Sequence, residues 1–144
     1  MSQPTLLHIE DDPNDVLLFQ HACQKAGVRC SLQVVADGDE GVAYLSGTGK
    51  FSDRAQFPLP QLVLLDLKMP RFNGIEAMTW IRSHEKLKRL PVVILSSSNH
   101  GVDIQRAYDA GANSYLIKPV DFNALVEIAG ALGDYWLNLN VGAD

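Results

Sequence analysis

Cysteine, surplus positive charge and long apolar runs are all scarce in this sequence. The two cysteines, Cys23 and Cys30, have neither the C-x-x-C spacing of a zinc site nor the number needed for a disulfide framework. Lysine and arginine total 12 against 17 aspartates and glutamates, and this net charge of −5 argues against direct binding of nucleic acid or of a membrane surface. No apolar run approaches the roughly 18 residues of a spanning helix, and residues 1–4 show no signal segment. We therefore expect a cytoplasmic protein.

What remains is the composition of an ordinary globular domain. A chain of 144 residues, 47% of them hydrophobic, is long enough to bury a core of its own as one domain. Short apolar runs alternate with amphipathic stretches, a pattern typical of βα units around a parallel sheet. Five strands are predicted, at Thr5–Ile9, Leu32–Ala36, Gln61–Leu65, Pro91–Leu95 and Ser114–Ile117.

Helix-capping residues separate these predicted strands. Asp12 is a natural N-cap with Pro13 at the first helical position, and Gly27 ends this first helix. Asp37 and Glu40 form a capping box for the second helix. Three more helices are predicted from apolar residues at helical spacing: one around Ile75, Met78 and Ile81, one that ends at Gly111 and one that begins after Asp121.

Two segments do not fit the simple alternation. Residues 47–60 are longer than the usual connection of about 2–6 residues in such folds, so we interpret them as an insertion. Residues 134–140 are unusually aromatic for a terminus, and we expect them to extend the fifth helix onto an apolar surface. That surface is either the domain itself or a second copy of the chain, beside the fourth helix and the fifth strand.

Polar side chains follow the predicted strands at their carboxyl ends, which is where an open parallel sheet gathers its chemistry. The first strand leads into Glu10, Asp11 and Asp12, the third into Asp66, the fourth into Ser96 and the fifth into Lys118. Carboxylates brought to one edge repel one another and call for a cation, and an all-oxygen set open to water suits Mg²⁺. With an ammonium and a hydroxyl to neutralise an anion, the set fits phosphoryl transfer onto a carboxylate, and Asp66 is the expected nucleophile.

Taken singly, each of these residues also has an ordinary structural role. Asp12, and to a degree Asp11, can cap the first helix, Ser96 can bond to backbone, and Lys118 can be a solvated surface charge. Tyr115 taken alone is a core or rim aromatic. Their shared position at one end of the sheet favours the functional interpretation. Four histidines share no metal-ligand spacing and are interpreted as structural: His8, His21, His84 and His100.

The motifs at these strand ends resemble those of the receiver domain of bacterial two-component response regulators, the CheY-like family. Glu10-Asp11 resembles the acidic pair of that family, residues 66–74 fit its D-x-x-M-P-x-x-x-G phosphoacceptor signature, and Ser96 and Lys118-Pro119 fit its Ser/Thr and K-P positions. The resemblance implies a flavodoxin-like, doubly wound α/β fold with five helices and a parallel five-stranded sheet in the order 2-1-3-4-5. It also implies one receiver domain over residues 1–144, with its core at about 5–133.

The same resemblance implies roles at the acidic site. Asp66 is the residue phosphorylated by a sensor histidine kinase. Asp11 binds Mg²⁺ directly, Glu10 holds it through water, and Asp66 and the backbone carbonyl of Lys68 complete the protein ligands. Glu10 stands where the family more often has aspartate, which lengthens one arm of the metal site.

A switch and a backbone feature are also implied. Ser96 and Tyr115 fit the pair in which a hydroxyl moves toward the phosphoryl group and an aromatic ring turns inward. Lys118 and Pro119 are expected to be joined by a cis peptide bond that aims the ammonium.

Rival functions fit the sequence less well. Haloacid-dehalogenase-type phosphatases need a second aspartate two positions after the nucleophile, where this chain has Lys68, so we do not expect an enzyme. A P-loop built on residues 47–50 needs glycine at position 44 and serine or threonine at 51, which are Tyr44 and Phe51 here. A purely structural receiver relative is disfavoured because every site position is present.

The resemblance also indicates the kind of partner. The insertion and the Tyr135-Trp136-Leu137 ending resemble single-domain regulators that serve phytochrome-type photoreceptor kinases. Few residues follow Leu132, so no DNA-binding module is expected and signalling passes through protein contacts. A homodimer is expected through the face formed by the fourth helix, fifth strand and fifth helix, together with the tail.

Overall fold

Strands and helices alternate along the chain, and capping residues or glycines mark several of the helix ends. The computed structural model describes residues 3–67 and 73–143. The strands in chain order are β1 (Thr5–Ile9), β2 (Ser31–Val35), β3 (Leu62–Leu65), β4 (Val92–Ser96) and β5 (Ser114–Ile117). The helices are α1 (Pro13–Ala26), α2 (Gly38–Ser46), α3 (Gly74–Ser83), α4 (Gly101–Asp109) and α5 (Phe122–Leu132).

The strands form one parallel sheet in the order β2-β1-β3-β4-β5, which confirms the expected fold. One sheet face packs on α2, α3 and α4, and its buried core includes Leu7, Ile9 and Leu65. The other face packs on α1 and α5 through residues such as Leu6 and Leu64. Because side chains alternate along a strand, each apolar run of the central strands serves both layers.

Strand ends differ by a residue from the predicted ones where a backbone N–H has another partner or is missing. β2 stops at Val35 because the N–H of Ala36 donates to the Glu40 carboxylate at 2.9 Å, which ties the chain to the start of α2. β4 begins at Val92 because Pro91 has no N–H, although its carbonyl accepts from Val63.

The predicted caps at Asp12, Gly27 and Asp37 are confirmed, whereas α4 ends at Asp109, two residues before the predicted stop at Gly111. In the predicted capping box of α2, the Glu40 side chain accepts from Ala36 and not from Asp37. Asp12 lies at the N-cap of α1 and accepts a hydrogen bond from the Asn14 N–H at 2.9 Å, and Gly27 ends the helix with a positive φ of 74°. Asp37 caps α2 by accepting from the Glu40 N–H at 2.8 Å. These caps place the loops that follow β1 and β2 at the carboxyl edge of the sheet.

The segment 47–60 is anchored by the guanidinium of Arg54. This group donates to the carbonyls of Tyr44 and Leu45 at the end of α2 and to that of Phe57. The rings of Tyr44, Phe51 and Phe57 lie 5.1–5.9 Å apart in a cluster against the same helix. The segment therefore extends the core on the α2 side.

The tail continues α5 as a π-helix over Gly133–Leu139 and folds back on its own domain. Trp136 and Leu137 pack against the core layer under α1 and α5, whereas the side chain of Tyr135 remains about half exposed. Of the two surfaces considered for the tail, Trp136 and Leu137 therefore pack on the domain itself.

Trp136→Ala should lower the free energy of unfolding by about 1–3 kcal/mol, because the ring is only partly buried against the core. Leu139→Ala, on the exposed side of the same π-helix, is the matched control and should change it by less than about 0.5 kcal/mol. Urea unfolding of both variants measures the difference. Equal losses would show that Trp136 contributes nothing beyond helix formation.

Within residues 3–67 and 73–143, no helix combines the length and the apolar character required to cross a membrane.

Candidate functional site

Three carboxylates converge at the carboxyl edge of the sheet. Glu10 and Asp11 follow β1, and Asp66 follows β3, whose backbone is held beside β1 by the Asp66 N–H bond to the Ile9 carbonyl at 3.1 Å. One carboxylate oxygen from each of the three residues lies within 4.8 Å of the others. Glu10 and Asp66 are buried and Asp11 is exposed, so the cluster opens to solvent on one side.

Close packing by Gly74 sets the position of Asp66. A Cβ at residue 74 would lie 2.6 Å from the Asp66 carbonyl oxygen and 2.7 Å from the Leu67 Cα. The N–H of Gly74, the first residue of α3, also donates to the Leu67 carbonyl at 3.1 Å. Only glycine allows α3 to begin this close to the Asp66 backbone, which gives the final glycine of the sequence signature a structural reason.

Lys118 brings positive charge to the cluster from the end of β5. Its Nζ donates to Glu10 Oε1 and to Asp15 Oδ2, each at 2.7 Å, and lies 3.6 Å from Asp66 Oδ2. The backbone N–H of Lys118 donates to the Ser96 carbonyl at 2.8 Å, which fixes the start of the side chain beside β4.

The prediction of a cis peptide bond between Lys118 and Pro119 is wrong. Within the described residues all peptide bonds are trans, this one included. The four-carbon stem of Lys118 reaches the carboxylates from a trans backbone, so the cis form is not needed to aim the ammonium.

Burial dominates the electrostatics of Glu10. Desolvation raises the pKa of Glu10 to about 7, the negative charge of Asp66 adds to this rise, and the hydrogen bond from Lys118 opposes it. Burial alone would lower the pKa of Lys118, but its hydrogen bonds to Asp15 and Glu10 outweigh that cost and raise it. The Lys118 ammonium therefore stays positively charged. Its single charge is shared among the carboxylates of Glu10, Asp15 and Asp66.

This donor set fits a divalent cation. All three clustered groups are carboxylates, and the negative charge of Asp66 adds to the rise that burial causes in the pKa of Glu10. Oxygen ligands of this kind, with one side open to water, suit hard divalent ions. The fourth predicted ligand, the Lys68 carbonyl, lies outside the described residues, as do the other signature residues up to Phe72.

The affinity for Mg²⁺ should rise with pH up to about 7 and then level off, because a cation must displace the Glu10 proton below that pKa. Between pH 4.5 and 7, Glu10 of the metal-free protein is largely protonated in the folded state. In the unfolded chain, where its pKa is 4.5, it has largely lost this proton. The free energy of unfolding should therefore fall as pH rises from 4.5 to 7 as far as Glu10 contributes. Calorimetric Mg²⁺ titrations across this range measure the first effect.

Glu10→Gln is the matched control, since it keeps the shape and removes the titrating proton. This variant should bind Mg²⁺ more weakly and with a flat pH profile near 7. His8, on the same strand, does not interfere, because burial lowers its pKa to about 3. An unchanged profile in Glu10→Gln would assign the pH dependence to another group.

The structure connects Ser96 and Tyr115 through Ser98. Ser96 is fully buried, and its hydroxyl oxygen accepts from the Ser98 N–H at 3.2 Å. The Tyr115 hydroxyl donates to the Ser98 carbonyl at 2.8 Å, and the Ser98 hydroxyl donates to Asp103 in the first turn of α4 at 2.5 Å. The predicted switch pair therefore shares an intermediary that also contacts α4. The movement of the pair itself stays a prediction.

Sequence reasoning missed Asp15, Ser98 and Asp103. Asp15 lies three residues after the N-cap of α1, where an acid usually stabilises the helix through capping and the helix dipole. Because that role explains the residue type, nothing in the sequence indicated its contact with Lys118. Ser98 stands in a run of three serines, 96–98, in which nothing local distinguishes the structural hydroxyl from the functional one.

Comparison with known proteins places this geometry in a family. The profile of the response regulator receiver domain matches residues 6–129. In sequence, the chain is 30% identical over 132 residues to response regulator Rcp1 of Synechocystis sp., covering 92% of this chain and 88% of that protein.

Solved structures give the same result. The phosphorylated cyanobacterial phytochrome response regulator RcpA superposes with a TM-score of 0.89 at 32% identity, covering 99% of this chain and 100% of RcpA. Response regulator RPA3017 in red light signalling of R. palustris superposes with a TM-score of 0.92 at 35% identity, covering 98% and 99% of the two chains. The Mn²⁺-bound form of Rcp1 has a TM-score of 0.85 at 28% identity over 98% of this chain and 99% of Rcp1.

Proposed function

Since this chain belongs to the response regulator receiver domain family of two-component signalling, we propose that it accepts a phosphoryl group from a sensor histidine kinase on Asp66. The observation that carries the proposal is the convergence on Asp66 of two further carboxylates and the Lys118 ammonium. The signal then passes through a change of conformation to protein contacts.

The chemistry is an in-line transfer between a phosphohistidine and a carboxylate. An Asp66 oxygen forms a bond to phosphorus, the phosphorus–nitrogen bond breaks, and the histidine nitrogen of the kinase leaves with the electron pair. Lys118, 3.6 Å from Asp66, neutralises charge on the phosphoryl oxygens. Glu10, Asp11 and Asp66 would hold Mg²⁺, together with the Lys68 carbonyl that the family resemblance adds, and the ion would supply further positive charge to the same oxygens.

We propose that the protein is a phosphorylated signalling component and not an enzyme. A phosphatase of similar fold uses an acid two residues after its nucleophile, and this chain has Lys68 there. Without a general acid, the aspartyl phosphate is expected to hydrolyse slowly and to act as a timed signal.

Incubation with a small phosphodonor, with and without Mg²⁺, followed by intact mass measurement, tests the proposal. One phosphoryl group should be added per chain, only with the divalent ion, and should persist over many times the period needed to add it. Rapid release of inorganic phosphate in repeated turnovers would favour the phosphatase alternative. An unchanged mass under all conditions would overturn the receiver function.

The partner kinase is proposed to be phytochrome-like. RcpA is named a phytochrome response regulator and RPA3017 a regulator in red light signalling, and both match nearly the whole of this chain. Phosphotransfer from a purified phytochrome-type histidine kinase should be faster than from a histidine kinase without a photoreceptor. Equal rates from both would contradict the preference.

We also propose a homodimer through the face formed by α4, β5 and α5. Tyr108 and Ile117 are each nearly half exposed on this face, Val120 is fully exposed, and β5 is an edge strand. Ile117→Asp should shift the protein from dimer to monomer in sedimentation, because it places a charge in the contact. Leu59→Asp is the matched control, an equally exposed apolar residue in the segment 47–60, and should leave the dimer intact.

A further inference from the structure

Lys118 is held by a carboxylate that lies outside the acidic cluster. Its Nζ is 2.7 Å from Asp15 Oδ2 and 2.7 Å from Glu10 Oε1, but 3.6 Å from Asp66 Oδ2. In the described part of the chain, the carboxylates able to share one cation are Glu10, Asp11 and Asp66. Two acids with different surroundings thus compete for the same ammonium.

These two contacts respond differently to a divalent cation. A cation at the cluster draws the Glu10 carboxylate and repels the ammonium bonded to it, so the bond between Glu10 and Lys118 weakens. Asp15 projects from α1 outside that cluster and keeps its full charge for Lys118. The bond between Asp15 and Lys118 is therefore expected to persist when a cation occupies the cluster.

We propose that Asp15 is a positioning residue for phosphoryl transfer, holding the Lys118 ammonium beside Asp66 when a divalent cation engages Glu10. The inference rests on the proposed function of Asp66. Asp15 contacts neither the phosphoryl group nor the cation, and it acts through Lys118.

The surroundings of the pair support this role over a purely local one. An acid in the first turn of a helix stabilises that turn through the helix dipole, but this effect does not require a partner 103 residues away in sequence. The Lys118 side chain is only 17% exposed and that of Asp15 33%, so the bond is stronger than an exposed surface pair. It joins α1 to the end of β5, from which the Lys118 side chain reaches Asp66.

The first test compares Asp15→Asn with Asp15→Glu. Asp15→Asn should lower the initial rate of Asp66 phosphorylation by a small phosphodonor at saturating Mg²⁺ by about tenfold, as expected for loss of a charge-assisted hydrogen bond. Its Mg²⁺ affinity, measured by calorimetry, should stay within about threefold of the original, because Asp15 is not a ligand. Asp15→Glu keeps the charge and should recover part of the rate.

Asp39→Asn is the matched control. Asp39 is an exposed acid in the first turn of α2 and shares the helix-dipole role of Asp15 without a contact to Lys118. Asp39→Asn should lose only the helix-dipole contribution to stability and leave the phosphorylation rate unchanged. A tenfold loss in this control would assign the effect to general electrostatics.

A double-mutant cycle provides a readout that a merely structural role would not move. In a Lys118→Met background, Asp15→Asn should change the rate by less than about twofold, because the bond it removes is already gone. If that background reacts too slowly, the Lys118 Cε NMR signal of the Mg²⁺-loaded protein replaces the rate. Asp15→Asn should shift this signal and Asp39→Asn should not.

The outcomes separate this inference from the function on which it rests. Absence of phosphorylation in the unmodified protein would overturn the proposed function. A phosphorylated protein in which Asp15→Asn reacts at the original rate, or leaves the Lys118 signal unmoved, would overturn only the positioning role. Loss of Mg²⁺ affinity as large as that of Asp11→Ala would make Asp15 a ligand and would also overturn it.

Discussion

Asp66→Asn should abolish phosphorylation of the protein by either a small phosphodonor or a histidine kinase. The asparagine amide has nearly the same shape but lacks the anionic oxygen that attacks phosphorus. Asp66 is buried at the end of β3, so the isosteric change preserves the packing around Gly74 and α3. Intact mass measurement with Mg²⁺ present should show no added phosphoryl group over the period in which the original protein is fully modified.

Asp12→Asn is the control for this experiment, because Asp12 lies at the same edge of the sheet, in the loop after β1, but serves the cap of α1. This variant should be phosphorylated at close to the original rate. Urea unfolding of Asp66→Asn should show a cooperative transition, which excludes loss of the fold as the cause. Acid-labile phosphorylation of Asp66→Asn at a similar rate would mean that another residue is the acceptor.

Asp11→Ala should weaken Mg²⁺ binding by at least about tenfold, while Asp12→Ala should weaken it by less than about threefold. Asp11 offers an oxygen within 4.8 Å of those of Glu10 and Asp66. The Asp12 side chain instead accepts the Asn14 N–H at 2.9 Å as the cap of α1. Adjacent aspartates therefore have different tasks, and calorimetric titration of each variant separates them.

In a measurement of the free energy of unfolding, Asp12→Ala should be the more affected of the two variants. Asp12→Ala should lower the free energy of unfolding by about 0.5–2 kcal/mol, the usual loss for a helix cap. Asp11→Ala removes a like charge from the cluster, so the metal-free protein should be no less stable than the original. Equal losses of Mg²⁺ affinity in both variants would show that the acidic residues had been assigned in the wrong register.

Local features of the sequence were sufficient to predict the elements and their order of appearance. The apolar runs predicted β1 and β5 to the residue, and Asp12, Gly27 and Asp37 predicted helix ends, because capping is a matter of neighbours in the chain. The position of Asp66 at the carboxyl edge followed from the same logic, since strand ends in a parallel sheet share one edge. The strand order came from the resemblance to receiver domains, and the structure confirms it.

Only the tertiary structure decided the partners of the polar side chains whose contacts are distant in sequence. Asp15 looks like an ordinary first-turn acid until β5 brings Lys118 to it, and Ser98 gains its link to Tyr115 only when β4 and β5 pair. The raised pKa of Glu10 depends on burial by residues distant in sequence. The tail likewise had two equal destinations until the packing of Trp136 placed it on its own domain. Capping and periodicity act over a few residues, whereas these contacts depend on distances that exist only after the chain has folded.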